Sequence, residues 1–246
     1  MSGVVVGFAF LFASLVHTIT GFGSALVGMP ILVLGIGLDK SAPLMALLSQ
    51  LVNLIVLANN WSGIRWGRSL VLIIPSLFGV PLGLILLKGG NENLLNILLG
   101  LILIFHSCFL LFFESKLSIV QISNRMAFLF GIPTGFVAGV LGGAYNVNGP
   151  PVIIYTSLFE KEKMKFRSTL QLFFVANGFV IIGGHYFAGL ITAEVWKLCF
   201  YGVPGLILGT ILGVWLDRYI TPERFSNIIV VSILTLGTVL ILQSIV

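Results

Sequence analysis

A chain of 246 residues in which 58% are apolar and 9% charged cannot clothe a water-facing surface, since soluble domains carry roughly a quarter charged residues. The net charge of +5 comes from thirteen Lys and Arg scattered singly or in short clusters between apolar runs, a distribution that sets membrane topology and does not describe a nucleic-acid-binding face. Composition therefore excludes a soluble domain and predicts an all-α, polytopic integral membrane protein, with the lipid bilayer and a small solute as its partners.

In chain order, the opening MSGVVVGFAFLFASLV lacks the positive segment of a cleavable signal peptide and reads as the start of the first membrane helix. Residues 4–38 are too long for one comfortable span, given that roughly 20 apolar residues cross the hydrocarbon, and a Gly-rich stretch breaks them in the middle. Plain spans follow at 41–60, 69–87 and 94–113. Residues 126–159 are again too long and again broken, by Gly, Asn and Pro. Plain spans at 166–187, 196–216 and 225–244 complete about eight to ten membrane segments. With no polar tail or linker, this is a single membrane domain, and a short chain without targeting extensions suits a prokaryotic inner membrane.

The two halves repeat. At an offset of 121, Gly21 falls on Gly142, Gly28 on Gly149, Pro30 on Pro151 and Gln50 on Gln171; at an offset of 130, Trp66 falls on Trp196, Gly79 on Gly209 and Gly83 on Gly213. The expected division is an N-terminal repeat, 1–120, and a C-terminal repeat, 121–246. Charge then bears on orientation. If each broken segment crosses once, Lys and Arg divide eight against five between the two sides of the membrane. If each makes an even number of crossings, as a hairpin, one side collects Arg65, Arg68, Lys116, Arg125, the cluster from Lys161 to Arg167, Arg218 and Arg224, ten against three. The stronger bias favours the second arrangement. Each half then has a Gly/Pro-interrupted hairpin plus three spanning helices, the halves are inverted, and both termini lie outside, the architecture of many transporters.

The interruptions carry the chemistry. The first, GFGSALVGMP, starts at Gly21, and the second, GVLGGAYNVNGPP, at Gly139. Glycine admits left-handed backbone, Asn tolerates it, and Pro pre-forms a helix start, so each segment is expected to open a short helix whose free N–H groups and dipole attract an anion. Candidate binding residues are Gly21, Gly23 and Ser24 in the first motif and Gly142, Gly143, Tyr145, Asn146 and Asn148 in the second. The alternative for these glycines is close helix packing. Gln50 and Gln171, with Asn53 and Asn177, are candidates for lining the same cavity or for joining helices by hydrogen bonds. Arg167, four residues before Gln171, is a candidate for attracting an anion at the cytoplasmic mouth or for marking topology.

His17 precedes the first motif by one turn and is the candidate proton relay; His106 and His185 read as interhelical hydrogen-bonders or interface residues. No acidic residue lies deep in a clear span. Cys108 and Cys199 sit in apolar segments of different halves, without metal-ligand spacing, and read as packing residues. An intramembrane enzyme would need a nucleophile with a base, or a metal cluster, and no such constellation is present. No enzyme activity, metal or cofactor is expected.

GFGSALVGMPIL at residues 21–32 and GVLGGAYNVNGPPVII at residues 139–154 resemble the repeated Gly-rich, Pro-ended stretch of the sulfite exporter TauE/SafE family, also called toluene sulfonate uptake permeases, and the resemblance extends over nearly the whole chain. It implies a membrane transporter of sulfite, sulfonates or related organosulfur anions, with export as the expected direction. Family members usually show denser glycine, where this chain has Ser24, Ala25, Asn146 and Asn148. A carrier or channel for another small anion, and a non-transporting scaffold, are the alternatives. A homodimer is left open.

Overall fold

A computed structural model describes residues 2–117, 124–160, 162–216, 219 and 222–245. Ten α-helices are described: α1 (Ser2–Thr20), α2 (Ser24–Ile36), α3 (Leu38–Asn59), α4 (Trp66–Gly89), α5 (Glu92–Leu117), α6 (Asn124–Tyr145), α7 (Gly149–Phe159), α8 (Lys163–Phe187), α9 (Ala193–Leu216) and α10 (Pro222–Ile245). No strand occurs among the described residues, and seven of these helices are long and apolar enough to cross a membrane. The chain is a multi-pass membrane protein. In hydrocarbon only hydrogen-bonded helices or closed barrels satisfy the backbone, which is why so apolar a sequence resolves into helices of 19 to 26 residues and a few short ones.

The two long broken segments are helical hairpins. Gly35 of α2 lies against Val5 of α1, and Gly28 against Ala13, so α2 runs back along α1 and the chain turns at residues 21–23. In the second hairpin the Tyr155 hydroxyl of α7 donates to the Ala127 carbonyl of α6 at 3.0 Å, and the turn is at residues 146–148. The open ends lie at opposite ends of the bundle. The first meets Glu92, which accepts the Leu38 N–H at 3.2 Å, and Glu194, which holds Lys40 at 2.9 Å. The second meets the start of α4, where Arg68 reaches the buried Glu160 at 2.9 Å.

Packing pairs correspond between the halves. α1 packs on α9 as α6 packs on α4, α3 packs on α8, and α5 packs on α10. At the tightest crossings a Cβ on Gly79 would stand 2.2 Å from the Phe136 carbonyl oxygen and one on Gly209 2.1 Å from that of Leu11; on Gly83 and Gly213 it would meet the carbonyls of Val140 and Leu15. The matched glycines of the 130-residue offset are therefore contact points. In lipid, where burial of apolar surface drives no association, close backbone approach of this kind supplies the packing energy. The outward faces are apolar, and exposed Trp61, Trp66 and Trp215 mark one end of the bundle as Trp196 and Tyr186 mark the other, where amphipathic rings belong.

The hairpin register differs from the 121-residue match. Gly21 and Asn146 are the left-handed residues that follow α1 and α6, Gly23 and Asn148 precede α2 and α7, and Ser24 and Gly149 open them, each pair 125 residues apart. Gly142 and Gly143 lie inside α6 and not in the interruption. Pro150 and Pro151 stand in the first turn of α7 as expected, but Pro30 lies within α2, past its first turn. Gly28 is likewise helical. Identity matching paired Gly with Gly, whereas the left-handed position is filled by Gly in one half and by Asn in the other.

Traced through these helices, the start of α1 and the end of α10 lie at the end of the bundle that holds Lys40, Lys88 and Lys197. Of the ten cations assigned by sequence to the opposite side, Lys161 and Arg218 lie outside the described residues. A C-terminal alkaline phosphatase fusion is expected to be active and a C-terminal green fluorescent protein fusion dark, with the reverse for fusions in the loop at residues 60–65. Gly83→Ala and Gly209→Ala are each expected to cost about 2 kcal/mol or more through overpacking and to lower the melting temperature in detergent. Gly183→Ala, with no atom within 4 Å of its added methyl, is expected to be neutral or stabilising by up to about 1 kcal/mol.

Candidate functional site

Both hairpins turn by the same local device. α1 ends where the Gly21 N–H bonds the His17 carbonyl at 2.8 Å and Gly21 takes φ 84°; α6 ends where the Asn146 N–H bonds the Gly142 carbonyl at 2.8 Å and Asn146 takes φ 54°. A left-handed residue closing the last turn is a common helix stop, and Gly or Asn fills it. Gly23, at φ 92°, then leads into α2, and Asn148 leads into α7, neither helix having a side-chain hydrogen bond at its start.

The groups freed at the first break are treated unequally. Arg167 Nη2 donates to the Ile19 carbonyl at 3.1 Å, Gln171 Nε2 donates to the Gly21 carbonyl at 2.5 Å, and the Phe22 N–H and carbonyl both bond the Thr20 hydroxyl, at 3.2 and 2.6 Å. The Ile19, Gly21 and Phe22 carbonyls at this break are thus closed off by α8 and Thr20. At the start of α2 the Leu26 and Val27 N–H groups bond the Gly23 carbonyl at 3.1 and 3.4 Å, while those of Ser24 and Ala25 have no intrahelical partner and no capping side chain and border a cavity. α7 contributes less of this kind, because Pro150 and Pro151 carry no N–H.

That cavity lies between the two hairpin tips. His17, Gly23, Ser24, Ala25 and Leu26 line it from the first hairpin, Asn146, Val147, Asn148 and Gly149 from the second, Ser49 and Asn53 from α3, and Phe174 and Gly178 from α8. Its polar groups are hydroxyls, amides, one imidazole and backbone; no carboxylate, Lys or Arg is among them. Asn146 Nδ2 donates to Ser49 Oγ at 3.1 Å, joining the second tip to α3, and His17 Nδ1 lies 3.2 Å from Ser24 Oγ.

The remaining candidates fall outside this lining. Arg167 and Gln171 hold the first break from behind. Gln50 Nε2 donates to the Val175 carbonyl at 3.0 Å, joining α3 to α8, while its Oε1 rests where a Cβ on Gly178 would stand. Gly143 packs against the Val80 carbonyl of α4, Gly142 touches Ile181 and Asn148, Gly21 lies under the Arg167 side chain, and Tyr145 is the buried last residue of α6. Asn177 is fully buried with no partner for either amide atom. His106 and His185 are fully buried, yet neither ring has a hydrogen-bond partner, so the expectation of interhelical hydrogen bonds from them is not met. Cys108 and Cys199 are free.

Ser49, Phe174 and Gly178 were not anticipated. The signal was spacing: Ser49 and Asn53, like Phe174 and Gly178, stand four residues apart and share a helix face. The buried Glu160 was also missed, since a carboxylate at a helix end reads as solvated until Arg68 and Arg65 are seen 2.9 and 3.9 Å away.

No solved structure matches the chain. A probable sulfite/organosulfonate exporter TauE from Cupriavidus necator is 26% identical over 207 residues, covering 80% of this chain and 77% of that protein. Residues 6–240 match the family described as Sulfite exporter TauE/SafE, a span that holds both hairpins and the cavity between them. The chain is a member of the sulfite exporter TauE/SafE family.

Proposed function

We propose that this protein exports small sulfur-containing anions, sulfite or small organosulfonates, across the bacterial plasma membrane through the cavity between the two hairpin tips, and that it acts as a carrier and not as an enzyme. One observation carries the reading: the cavity brings together the uncapped start of α2, the Ser24 and Ser49 hydroxyls and the amides of Asn53, Asn146 and Asn148, without a carboxylate. Donors held in a low-dielectric site favour a negative ligand, and a helix start adds its dipole. Family membership and the printed name of the Cupriavidus relative supply the sulfur chemistry.

In this reading residues 1–120 and 121–246 are inverted repeats whose hairpins meet tip to tip. Rocking of the halves would expose the cavity to each side in turn. The cavity's free volume of about 30 Å³ admits about two waters or an ion of similar size, and an aromatic sulfonate would require the tips to part. The ion pairs of Glu160 with Arg68 and of Lys40 with Glu194 sit where the two open ends meet α4 and α9, the places such a motion would strain. A negative cell interior favours anion exit by about 2.3 kcal/mol per charge per 100 mV, so export needs no embedded carboxylate.

Wild-type protein in liposomes is expected to show saturable sulfite flux driven by an imposed voltage. Asn148→Leu removes an amide donor from the cavity and is expected to cut that flux at least about tenfold, the scale of one hydrogen bond to a charged ligand, with folding intact by size-exclusion and melting temperature. Unchanged sulfite flux in a folded Asn148→Leu protein would contradict the site, and a wild-type protein that carries a small carboxylate as well as sulfite would contradict the substrate class. Glu160→Gln leaves Arg68 without its buried counter-charge and is expected to change the maximal rate while leaving half-saturation within about twofold.

A further inference from the structure

Every hydrogen-bond direction around His17 follows from one carbonyl. Gln171 Nε2 stands 2.5 Å from the Gly21 carbonyl oxygen. The amide cannot be turned over, because its oxygen would then face another oxygen at that distance. The same nitrogen lies 3.2 Å from His17 Nε2, so its second N–H points at that ring nitrogen, which must offer a lone pair. A neutral imidazole with an accepting Nε2 carries its proton on Nδ1, and Nδ1 is 3.2 Å from Ser24 Oγ. The Ser24 oxygen is thereby the acceptor, and its own proton is left to point elsewhere. Ser24 borders the cavity at the first position of α2, beside the free N–H groups of that helix start.

We propose that His17 is a positioning residue, fixed by Gln171 as the neutral Nδ1–H form, which turns the Ser24 hydroxyl proton into the cavity and makes the site select fully deprotonated oxyanions over anions that present a hydroxyl. The proposal rests on the anion-carrier reading above and specifies which form of the anion that site takes. No proton is transferred. A ligand oxygen bearing hydrogen would meet only donors at the Ser24 corner, the Ser24 hydroxyl and the Ser24 and Ala25 N–H groups, and would leave its own proton unpaired there, the kind of mismatch that discriminates strongly between close analogues.

Two measurements on the full-length protein in lipid test it. The chain has three histidines, so nitrogen-15 spectra of histidine-labelled wild type, with His17→Asn identifying the His17 signals, report its form directly. A protonated Nδ1 with a bare Nε2 is expected, and a protonated Nε2 or an imidazolium overturns the proposal even where flux is normal. In sulfite transport, His17→Leu is expected to raise half-saturation about tenfold, with the maximal rate within about twofold. His17→Asn, whose amide N–H can reach the place of Nδ1–H, is expected to recover to within about threefold, and Ser24→Ala combined with His17→Leu is expected to add little to either change alone. A His17→Asn protein as impaired as His17→Leu, both folded, overturns the positioning role. Wild-type protein with the expected nitrogen signals but no flux of sulfite or methanesulfonate would strike the anion reading and leave the ring assignment standing.

Discussion

The structure depends on the rule that a backbone N–H or C=O inside a membrane needs a partner. Two interruptions at depth should each be costly, and the fold resolves the cost asymmetrically. At the first break the Ile19, Gly21 and Phe22 carbonyls are taken by Arg167, Gln171 and Thr20, whereas the Ser24 and Ala25 N–H groups at the start of α2 border a cavity with no side-chain cap. In the proposed reading the site draws an anion through the Ser24 and Ala25 N–H groups and the Ser24 hydroxyl, and it needs no bound cation or lysine to do so. Arg167, the candidate that looks most like a ligand binder by charge, lies outside the cavity lining and holds the Ile19 carbonyl.

The bundle around the site is built to bring the two tips together. α1 and α6 each lie against a helix of the opposite half, α9 and α4, through glycines that let backbone meet backbone. Each hairpin is thus carried by a spanning helix from the other half. α3 and α8, packed on one another, provide the side walls of the cavity, Ser49 and Asn53 on one and Phe174 and Gly178 on the other. Gln50 ties these walls together at the Val175 carbonyl. Membrane interfaces gain from such close contacts and modest hydrogen bonds because apolar burial is worth nothing between a helix and lipid.

The sequence carried the class, the helix positions and the two broken segments in legible form, since apolar runs of spanning length and clusters of Gly, Asn and Pro are local signals. The cation count favoured hairpins, and the helices trace as hairpins. Register was harder. Matching Gly21 to Gly142 follows residue identity, but a turn of this kind needs left-handed backbone, which Asn tolerates, and the residue that takes it after α6 is Asn146, one helical turn on. Gly142 and Gly143 looked like site residues for the same reason and lie within α6, Gly143 as a packing contact. Ser49 was passed over because its signal, a place four residues before Asn53 on one helix face, gains meaning only once that face is known to look inward. The roles of Gln171 and Arg167 depend on residues about 150 positions away in the chain, and nothing local to either encodes that meeting.

The most direct test of the central claim is to locate a bound oxyanion. In alkaline buffer, where it is fully deprotonated, selenite has the shape and charge of sulfite and a strong anomalous signal, so a crystal of the full-length protein grown with it there would place the ion without reference to any mutant. The account predicts one anomalous peak between the hairpin tips, within hydrogen-bonding distance of the Ser24 hydroxyl and the Asn148 amide, which line that cavity. A peak at the Arg65 and Arg68 end of the bundle, with the space between the tips empty at saturating selenite, would contradict it.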